Sequence, residues 1–171
     1  MRETFDAYRA RVLSYLGDRD PLRVQAGTAS RLERLVSGVR RSVLASRPAP
    51  GKWSVVEIVA HMADAELAMA WRLRTMIATP GAKLAWWDEH HWSEACAYAR
   101  IPLARSLATF RALRVSNLAL LRSLPLRKWS DCYGMHEKRG RQSVADFVRM
   151  EAAHDLNHLR QVQALLRRSR Q

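Results

Sequence analysis

Helical periodicity runs through nearly the whole chain, and this pattern limits the fold more than any other feature of the sequence. Apolar residues recur at spacings of three and four, β-branched alternation never persists, and no Asn-Gly or Asp-Gly pair marks a hairpin turn. Glycine and proline signals divide the pattern into helices over residues 3–16, 20–45, 54–78, 102–123 and 143–168. The sequence therefore predicts an all-α protein, a four-helix bundle with a short additional N-terminal helix, in a single domain over residues 1–171.

Two of the long helices begin with a capping signal. Ser54 is followed three residues later by Glu57, which is the pattern of a capping box, and Ser143 stands at the corresponding place before the last helix. The segments between the helices are less regular. Residues 83–100 are rich in aromatic side chains and predict no definite element, whereas residues 125–142 are predicted to form a polar loop.

The formal net charge of +13 raises the question of a nucleic-acid or membrane partner. The basic residues, nearly all arginine, are spread along every segment, and the terminal LRRSRQ is the one compact basic block. No apolar run approaches the ~20 residues that a membrane-spanning helix needs. We therefore expect no specific nucleic-acid partner and no membrane partner, although the charge suits an acidic small-molecule substrate.

The N-terminal stretch and the cysteines indicate the compartment. MRETFDAYRARVLSYLGD carries acids and arginines throughout and lacks the apolar core of a signal peptide. The two cysteines, Cys96 and Cys132, have no CxxC partner and no histidine at helical spacing. The sequence therefore predicts a cytoplasmic protein without a disulfide framework, and it argues against a cysteine nucleophile or a cysteine-bound structural zinc.

The face of the last helix that should point into the bundle is polar in its middle. Steps of three and four residues place Glu151, His154, His158 and Gln161 on that face, between apolar ends. Four consecutive polar positions are costly to bury unless their polar groups are satisfied. Two histidines four residues apart, about 6 Å apart at Cβ, can both reach one cation at about 2.0–2.1 Å. A solvated histidine pair, or core histidines bonded to Glu151 and Gln161, is the alternative.

A third histidine lies far upstream on another predicted bundle helix. In GKWSVVEIVAHMADAE, residues 51–66, His61 sits among Val, Ile, Ala and Met. Because bundle sites draw ligands from facing helices, His61 can join His154 and His158 around one divalent cation. Three histidines with an open fourth position are the catalytic form of a zinc-type site. Candidate acceptors for the outer imidazole N–H groups are the carboxylates of Glu57, Asp64, Glu151 and Asp155.

The two histidine blocks together resemble the DinB-like superfamily, also called DinB/YfiT. GKWSVVEIVAHMADAE is followed about ninety residues later by HDLNHLRQV, and YLGDRDPL, PAPGKWS and MHEKRGRQS are also similar to segments of that family. The resemblance covers nearly the whole chain. It implies a four-helix bundle that often forms homodimers and holds a divalent metal through three histidines, which here are His61, His154 and His158. It also implies a transferase that uses a low-molecular-weight thiol such as bacillithiol, mycothiol or glutathione, or a thiol-dependent isomerase.

The open metal position of such a site admits two kinds of reaction. A cation lowers the pKa of a thiol, about 8.5 when free, and it lowers the pKa of water as well. Together with the resemblance, this predicts a metal-dependent transferase that joins a thiol to a small electrophilic substrate, with zinc or nickel favoured and iron or copper compatible. A metal-dependent hydrolase and a non-enzymatic, stress-associated metal-binding bundle are the alternatives. Glu151 and Glu57 are the candidate catalytic bases.

Several further side chains are candidates for the surroundings of the site. His136, in the predicted polar loop, is a possible fourth ligand, proton shuttle or substrate contact, or else an exposed loop residue. Gln161 is a candidate pocket residue. In the segment WWDEHHW, residues 86–92, His90 and His91 are expected to be surface or dimer-contact residues. The tryptophans around them could line a pocket, but packing in the core or at an interface is the expectation. Candidate contacts for the carboxylates of a cofactor thiol are Arg72, Arg149 and Arg160.

Overall fold

The computed structural model describes residues 3–169, and this part of the chain is largely helical. Its α-helices are α1 (Phe5–Leu16), α2 (Pro21–Val36), α3 (Arg41–Ala45), α4 (Val55–Ala78), α5 (Glu89–Ala95), α6 (Leu103–Ser123), α7 (Lys128–Asp131) and α8 (Val144–Arg168). Its strands are β1 (Ala82–Leu84), β2 (Tyr133–His136) and β3 (Gly140–Ser143), and a 3₁₀ turn covers Tyr98–Arg100. Within residues 3–169, no helix is both long and apolar enough to cross a membrane.

The four long helices α2, α4, α6 and α8 form a bundle. Helix α4 packs against α6 and α8, and α2 packs against the same two helices, so α2 and α4 lie on opposite corners. Both the α2-to-α4 and the α6-to-α8 connections therefore cross the bundle diagonally. Helix α1 packs along the outside of α8. The prediction of a four-helix bundle with a short additional N-terminal helix is confirmed.

The predicted capping signals are present at the starts of the two helices that carry the histidines. Ser54 and Glu57 form a reciprocal capping box at the start of α4, and Ser143 forms one with Asp146 at the start of α8. In each box the serine hydroxyl accepts a backbone N–H of the first turn, and the carboxylate accepts the backbone N–H of the serine. These contacts fix where α4 and α8 begin, and therefore which residues face the bundle interior.

The predicted helix over residues 20–45 is wrong in its length. Helix α2 ends at Val36, and Gly38 adopts a left-handed backbone conformation with φ of 71° before α3 begins. Glycine reaches this region without the steric cost that other residues meet. Apolar periodicity continues across the break because Val39 and Leu44 still pack against the main core cluster. For this reason the apolar pattern alone does not reveal the interruption.

The predicted polar loop over residues 125–142 is replaced largely by ordered structure. It contains α7 and a hairpin of β2 and β3, and β1 from the segment before α5 adds to this hairpin in parallel with β2. Gly140, with φ of 68°, closes the hairpin. At Gly134 a Cβ atom would lie 2.5 Å from Leu84 Cγ, so only glycine permits β1 to approach β2. The small sheet is an addition to an otherwise helical fold, and it lies at the end of the bundle to which it brings His136.

Candidate metal centre

Three histidines from two helices converge at one point in the bundle. His61 is on α4, and His154 and His158 lie one turn apart on α8. The Nε2 atom of His154 is 3.1 Å from that of His61 and 2.9 Å from that of His158. The structure therefore brings together the three histidines that the sequence predicts as ligands, with one ring nitrogen of each facing a common centre.

Burial keeps these imidazoles neutral at pH 7. It lowers the pKa of His154 to about 4, with a further contribution from the positive charges of Arg114 and Arg139. Burial and the neighbouring His154 lower the pKa of His158 to about 3, and the pKa of His61 also falls well below its ordinary value for the same kind of reason. Neutral imidazoles are the form that binds a metal, because the ligand nitrogen must offer a lone pair.

The outer nitrogens of the rings differ in their partners. His158 Nδ1 donates to Gln161 Oε1 at 2.9 Å, which leaves the Nε2 lone pair directed toward the other two rings. His154 Nδ1 is 4.0 Å from Glu151 Oε2. His61 Nδ1 is buried and has no hydrogen-bond partner within residues 3–169, while its ring lies between Trp53 and Trp87, with centroids 4.8 Å and 5.7 Å away.

The donor set fits a divalent cation. Nitrogens that are each ~2.0–2.1 Å from a tetrahedral zinc stand about 3.3 Å from one another, and the observed separations of 2.9 and 3.1 Å are only slightly shorter. His158 offers a lone pair to this centre rather than a proton, because Gln161 occupies its other nitrogen. A cation at the common centre would satisfy all three Nε2 atoms. The three ligands leave room for a further ligand from the cavity, as in catalytic sites.

A cavity of about 930 Å³ opens beside the three histidines. Its walls come from α4 and α8, from the start of α1, from the loop before α4, and from the segments around Trp86 and His136. Five basic and three acidic side chains line it, and one of the acids, Glu3, is paired with Arg11. The volume is that of a small-molecule site.

Glu151 is the candidate catalytic residue that lines this cavity beside the histidines. Burial raises the pKa of its carboxyl group to about 8, and the charges of Glu66 and Asp155 add to the effect. A carboxyl group in this position can hold or release a proton near neutral pH. The catalytic role of Glu151 stays a prediction, and its position at the cavity wall is compatible with it.

Glu57, the other candidate base, has a structural role in this fold, and its prediction as a catalytic residue is wrong. Its carboxylate is 1% exposed, lies outside the cavity lining, and is fully engaged by the backbone N–H and hydroxyl of Ser54 and by the guanidinium of Arg47. Although burial opposes ionisation, these contacts hold the pKa of Glu57 below its ordinary value. A carboxylate with this many donors is a poor proton acceptor.

The two aspartates predicted as imidazole acceptors bind other groups, which corrects that part of the prediction. Asp64 Oδ2 accepts the hydroxyl of Tyr98 at 2.6 Å, on the side of α4 that meets the 3₁₀ turn. Asp155 accepts Thr28 and Arg114 in the bundle core, because it follows His154 by one residue and so points about 100° away around the helix.

His136 is buried rather than exposed, and it lines the cavity. It sits at the end of β2, where its Nδ1 atom accepts the backbone N–H of Lys138 at 3.1 Å. Burial, followed by the charges of Arg139 and Arg72, lowers its pKa to about 4. It is not part of the three-histidine cluster. Of the three candidate arginines, Arg72 lines the cavity, whereas Arg149 and Arg160 lie outside it.

The aromatic segment is placed differently from its prediction. Trp86 and Trp87 line the cavity, so the expectation that they pack in the core is wrong. His90 lines the cavity as well, and both His90 and His91 are exposed, in agreement with the predicted surface positions. Trp92 packs on Trp87 with a centroid distance of 4.6 Å. Trp53 also lines the cavity, although the sequence predictions do not include it. Its position directly before the Ser54 cap is the sequence signal for this role, because a side chain at that position folds back onto the helix.

The fold and the site together define a helical bundle that presents a three-histidine centre to an open cavity. The chain matches the DinB superfamily over residues 26–162, a span that includes all three histidines. The protein therefore belongs to the DinB superfamily.

Similar proteins carry consistent names. A protein of Oceanobacillus iheyensis is 27% identical over 118 residues, which cover 69% of this chain and 67% of that protein. A protein of Geobacillus kaustophilus is 25% identical over 142 residues, which cover 83% of this chain and 80% of that protein. Both are named as inferred metal-dependent hydrolases. YfiT from Bacillus subtilis has the same fold, with a TM-score of 0.81 and 22% sequence identity. The match covers 87% of this chain and 85% of the YfiT chain. YfiT is described as an inferred metal-dependent hydrolase with an unusual four-helix bundle topology.

Proposed function

We propose that this protein is a divalent-metal-dependent enzyme that acts on a small molecule in the cavity beside His61, His154 and His158. The observation that carries the proposal is the convergence of three neutral imidazole nitrogens at one wall of a cavity of about 930 Å³. The three residues would be the ligands, and zinc or nickel is the cation that a site of three imidazoles suits best.

The residues around this centre have separate tasks. When bound, the cation supplies Lewis acidity, which lowers the pKa of water or of a thiol and stabilises negative charge. Glu151, at the cavity wall beside His154, would in its ionised form accept the proton that the nucleophile loses. Gln161 orients His158, and Trp53 and Trp87 cover His61. Together these groups would position the substrate and the metal ligands, and they would exclude bulk water from the three histidines.

Hydrolysis is the reaction that the similar proteins favour, since those of Oceanobacillus and Geobacillus are both named as inferred metal-dependent hydrolases. Transfer of a low-molecular-weight thiol is the second candidate. Its support is the excess of basic side chains around the cavity, which would attract the carboxylates of a thiol such as glutathione, bacillithiol or mycothiol. The comparisons do not support thiol transfer, so it rests on this charge alone.

Metal content tests the site. We expect about one zinc or nickel ion per chain in protein purified without a histidine tag, and almost none in His154→Ala, because two imidazoles bind such ions far more weakly. His91→Ala is the matched control, since His91 lies outside the cavity lining. Elemental analysis and circular dichroism measure metal and fold together. Equal metal in His154→Ala and wild type would contradict the assignment.

A comparison with and without thiols separates the two reactions. Hydrolysis predicts that metal-loaded protein cleaves p-nitrophenyl esters without any thiol, whereas transfer predicts conjugation of 1-chloro-2,4-dinitrobenzene only when a thiol is added. In either case Glu151→Gln is expected to retain metal and to lose most of the activity. Metal binding with neither activity, across a panel of such substrates, would favour the non-enzymatic bundle.

The assembly and compartment remain predictions. We propose a homodimer and a cytoplasmic location. Sedimentation equilibrium across micromolar concentrations tests the first, and a single monomeric species throughout would contradict it. Fractionation of the producing cells tests the second.

A further inference from the structure

A buried arginine faces the cavity without a charged partner. The Arg72 side chain is 7% exposed and lines the cavity from α4. Its Nη2 atom donates to the backbone carbonyl of Ala85 at 2.5 Å, and no carboxylate within residues 3–169 forms an ion pair with it. A buried guanidinium without an anion is costly, because a neutral carbonyl offsets only part of the lost hydration.

A second hydrogen-bond donor lies beside Arg72. His136 Nδ1 accepts the N–H of Lys138, so in the neutral ring the proton is on Nε2. This Nε2–H group is 3.4 Å from Arg72 Nη2. Both nitrogens are donors, and neither can accept from the other. Two donors that meet at a cavity wall are satisfied together only when an acceptor from the cavity lies between them.

The fold holds these two donors in place through the small sheet. Strand β1 pairs with β2 so that Leu84 stands opposite His136, and the next residue, Ala85, supplies the carbonyl that anchors Arg72. The close approach of the two strands requires Gly134, because a Cβ atom at this position would clash with the Leu84 side chain. The sheet thus gives a rigid frame for the pair. Such a frame favours a binding site over an accidental juxtaposition.

We propose that Arg72 and His136 form a carboxylate-binding subsite, and that the substrate of this protein is an organic carboxylate whose anionic group is anchored there. As a statement about the substrate, this inference rests on the proposed function. The two oxygens of a carboxylate match the free donors of one guanidinium and one imidazole N–H. The remainder of the substrate then extends along the same cavity past Trp86 and Trp87 to the three histidines.

The charges that face the subsite favour an anion of low charge. Arg139 also lines the cavity, with its guanidinium 4.4 Å from the centre of the Phe5 ring, whereas Glu151 lies on the opposing α8 wall. A bound carboxylate adds one negative charge to a site that Arg139 and Glu151 already face. A phosphate dianion would bring more charge and more acceptor atoms than two donors can serve.

Binding of benzoate and of its neutral analogue benzamide tests the subsite. The titrations use tryptophan fluorescence, because Trp53, Trp86 and Trp87 line the cavity. They are run on metal-free and on zinc-loaded protein, so that direct binding of benzoate to zinc is recognised. We expect benzoate to bind both forms, and benzamide to bind about tenfold to a hundredfold more weakly, since one charge-assisted interaction is lost.

Variants locate the effect. Arg72→Gln is expected to weaken the binding of benzoate about tenfold or more and to leave the binding of benzamide unchanged. Arg72→Lys is expected to retain part of the preference for benzoate over benzamide. Arg149→Gln, an exposed arginine of α8, is the control for general charge. Circular dichroism confirms folding, and His136→Asn provides a second test if Arg72→Gln is unstable.

Four results would overturn the proposal: no benzoate binding to metal-free protein, equal binding of benzoate and benzamide, an equal loss in Arg149→Gln, or tighter binding of phenyl phosphate than of benzoate. The failure of the proposed function would appear elsewhere, as wild-type protein without metal or as a His154→Ala variant that retains it. Benzoate binding by metal-free protein does not depend on either of these metal measurements, so the two proposals can fail separately.

Discussion

Gln161 shows how one side chain prepares a metal ligand. Its Oε1 atom accepts from His158 Nδ1 at 2.9 Å, and this contact selects the tautomer whose Nε2 lone pair faces His61 and His154. In Gln161→Leu the ring loses this restraint. We expect the affinity for zinc to fall about 10–100-fold, measured by competition with a chelator of known affinity.

Gln163→Leu is the matched control for this change. It lies on the same helix but lines a separate groove, so it should bind zinc as the wild type does. Equal zinc affinity in both variants would show that Gln161 has no part in the site.

Glu57 illustrates a residue whose position near a ligand does not make it catalytic. Its pKa is below the ordinary value although burial opposes this, because Arg47 and Ser54 bind the ionised form. A group with a depressed folded pKa stabilises the protein above its unfolded pKa, and the contribution is lost as the pH falls through the folded pKa. We expect Glu57→Gln to cost about 1 kcal/mol at pH 7 and to retain metal.

Urea unfolding of wild type and Glu57→Gln at several pH values measures this contribution. The difference between the two proteins should be largest at neutral pH, should shrink as the pH falls below the ordinary pKa of a glutamate, and should close only once the lowered folded pKa of Glu57 is passed. A difference that persists unchanged into acid would mean that the charge of Glu57 is not what stabilises the cap.

At the scale of elements, the pairing of β1 with β2 depends on the absence of one side chain. A Cβ atom on Gly134 would meet three carbon atoms of Leu84 at 2.5 to 2.9 Å. Gly134→Ala therefore forces the strands apart, and we expect a loss of about 1–3 kcal/mol in the free energy of unfolding together with weaker benzoate binding, because His136 moves with β2.

The control for Gly134→Ala is Gly27→Ala. Gly27 lies within α2, and the nearest atom to its Cβ would be Arg31 Nε at 3.9 Å, so alanine fits there and should stabilise the protein by about 1 kcal/mol. If Leu84→Ala in the Gly134→Ala background does not restore stability, the loss has another cause.

The elements differ in how far the sequence predicts them, and the difference has a physical basis. The starts of α4 and α8 are predictable because a capping box is a local contact between residues three apart, such as Ser54 and Glu57. The small sheet is not, because β1 and β2 lie about fifty residues apart and their pairing depends on the space that Gly134 leaves for the Leu84 side chain. His136 was recognisable as a residue of interest, but its burial follows from that distant pairing.

At the scale of the whole molecule, a charged cluster in the bundle core links α2, α4, α6 and α8. Arg114 on α6 binds Glu66 on α4 and Asp155 on α8, and Thr28 on α2 donates to Asp155 at 2.8 Å. All three charged side chains are at most 3% exposed. The sequence does not reveal this cluster, because arginines and acids are common throughout the chain and only the tertiary structure shows which of them meet.

The cluster fixes α8 against the other helices, and its loss should be costly. Arg114→Met leaves two carboxylates buried without a cation, and we expect it to reduce the free energy of unfolding by about 3–5 kcal/mol. Arg111→Met, on the same helix, removes an ion pair with Glu33 in which both partners are at least 39% exposed, and should cost no more than about 1 kcal/mol.

Replacing Glu66 and Asp155 by leucine in the Arg114→Met background tests the reason for that loss. If the cost of Arg114→Met comes from the two uncompensated carboxylates, the triple variant should recover most of the stability, because apolar side chains of similar size need no partner. Urea denaturation of all four proteins gives the values. A small loss in Arg114→Met would mean that water reaches the cluster. A large loss without recovery would mean that the guanidinium stabilises the bundle mainly by joining α6 to α2 through its bond to the Gln25 carbonyl.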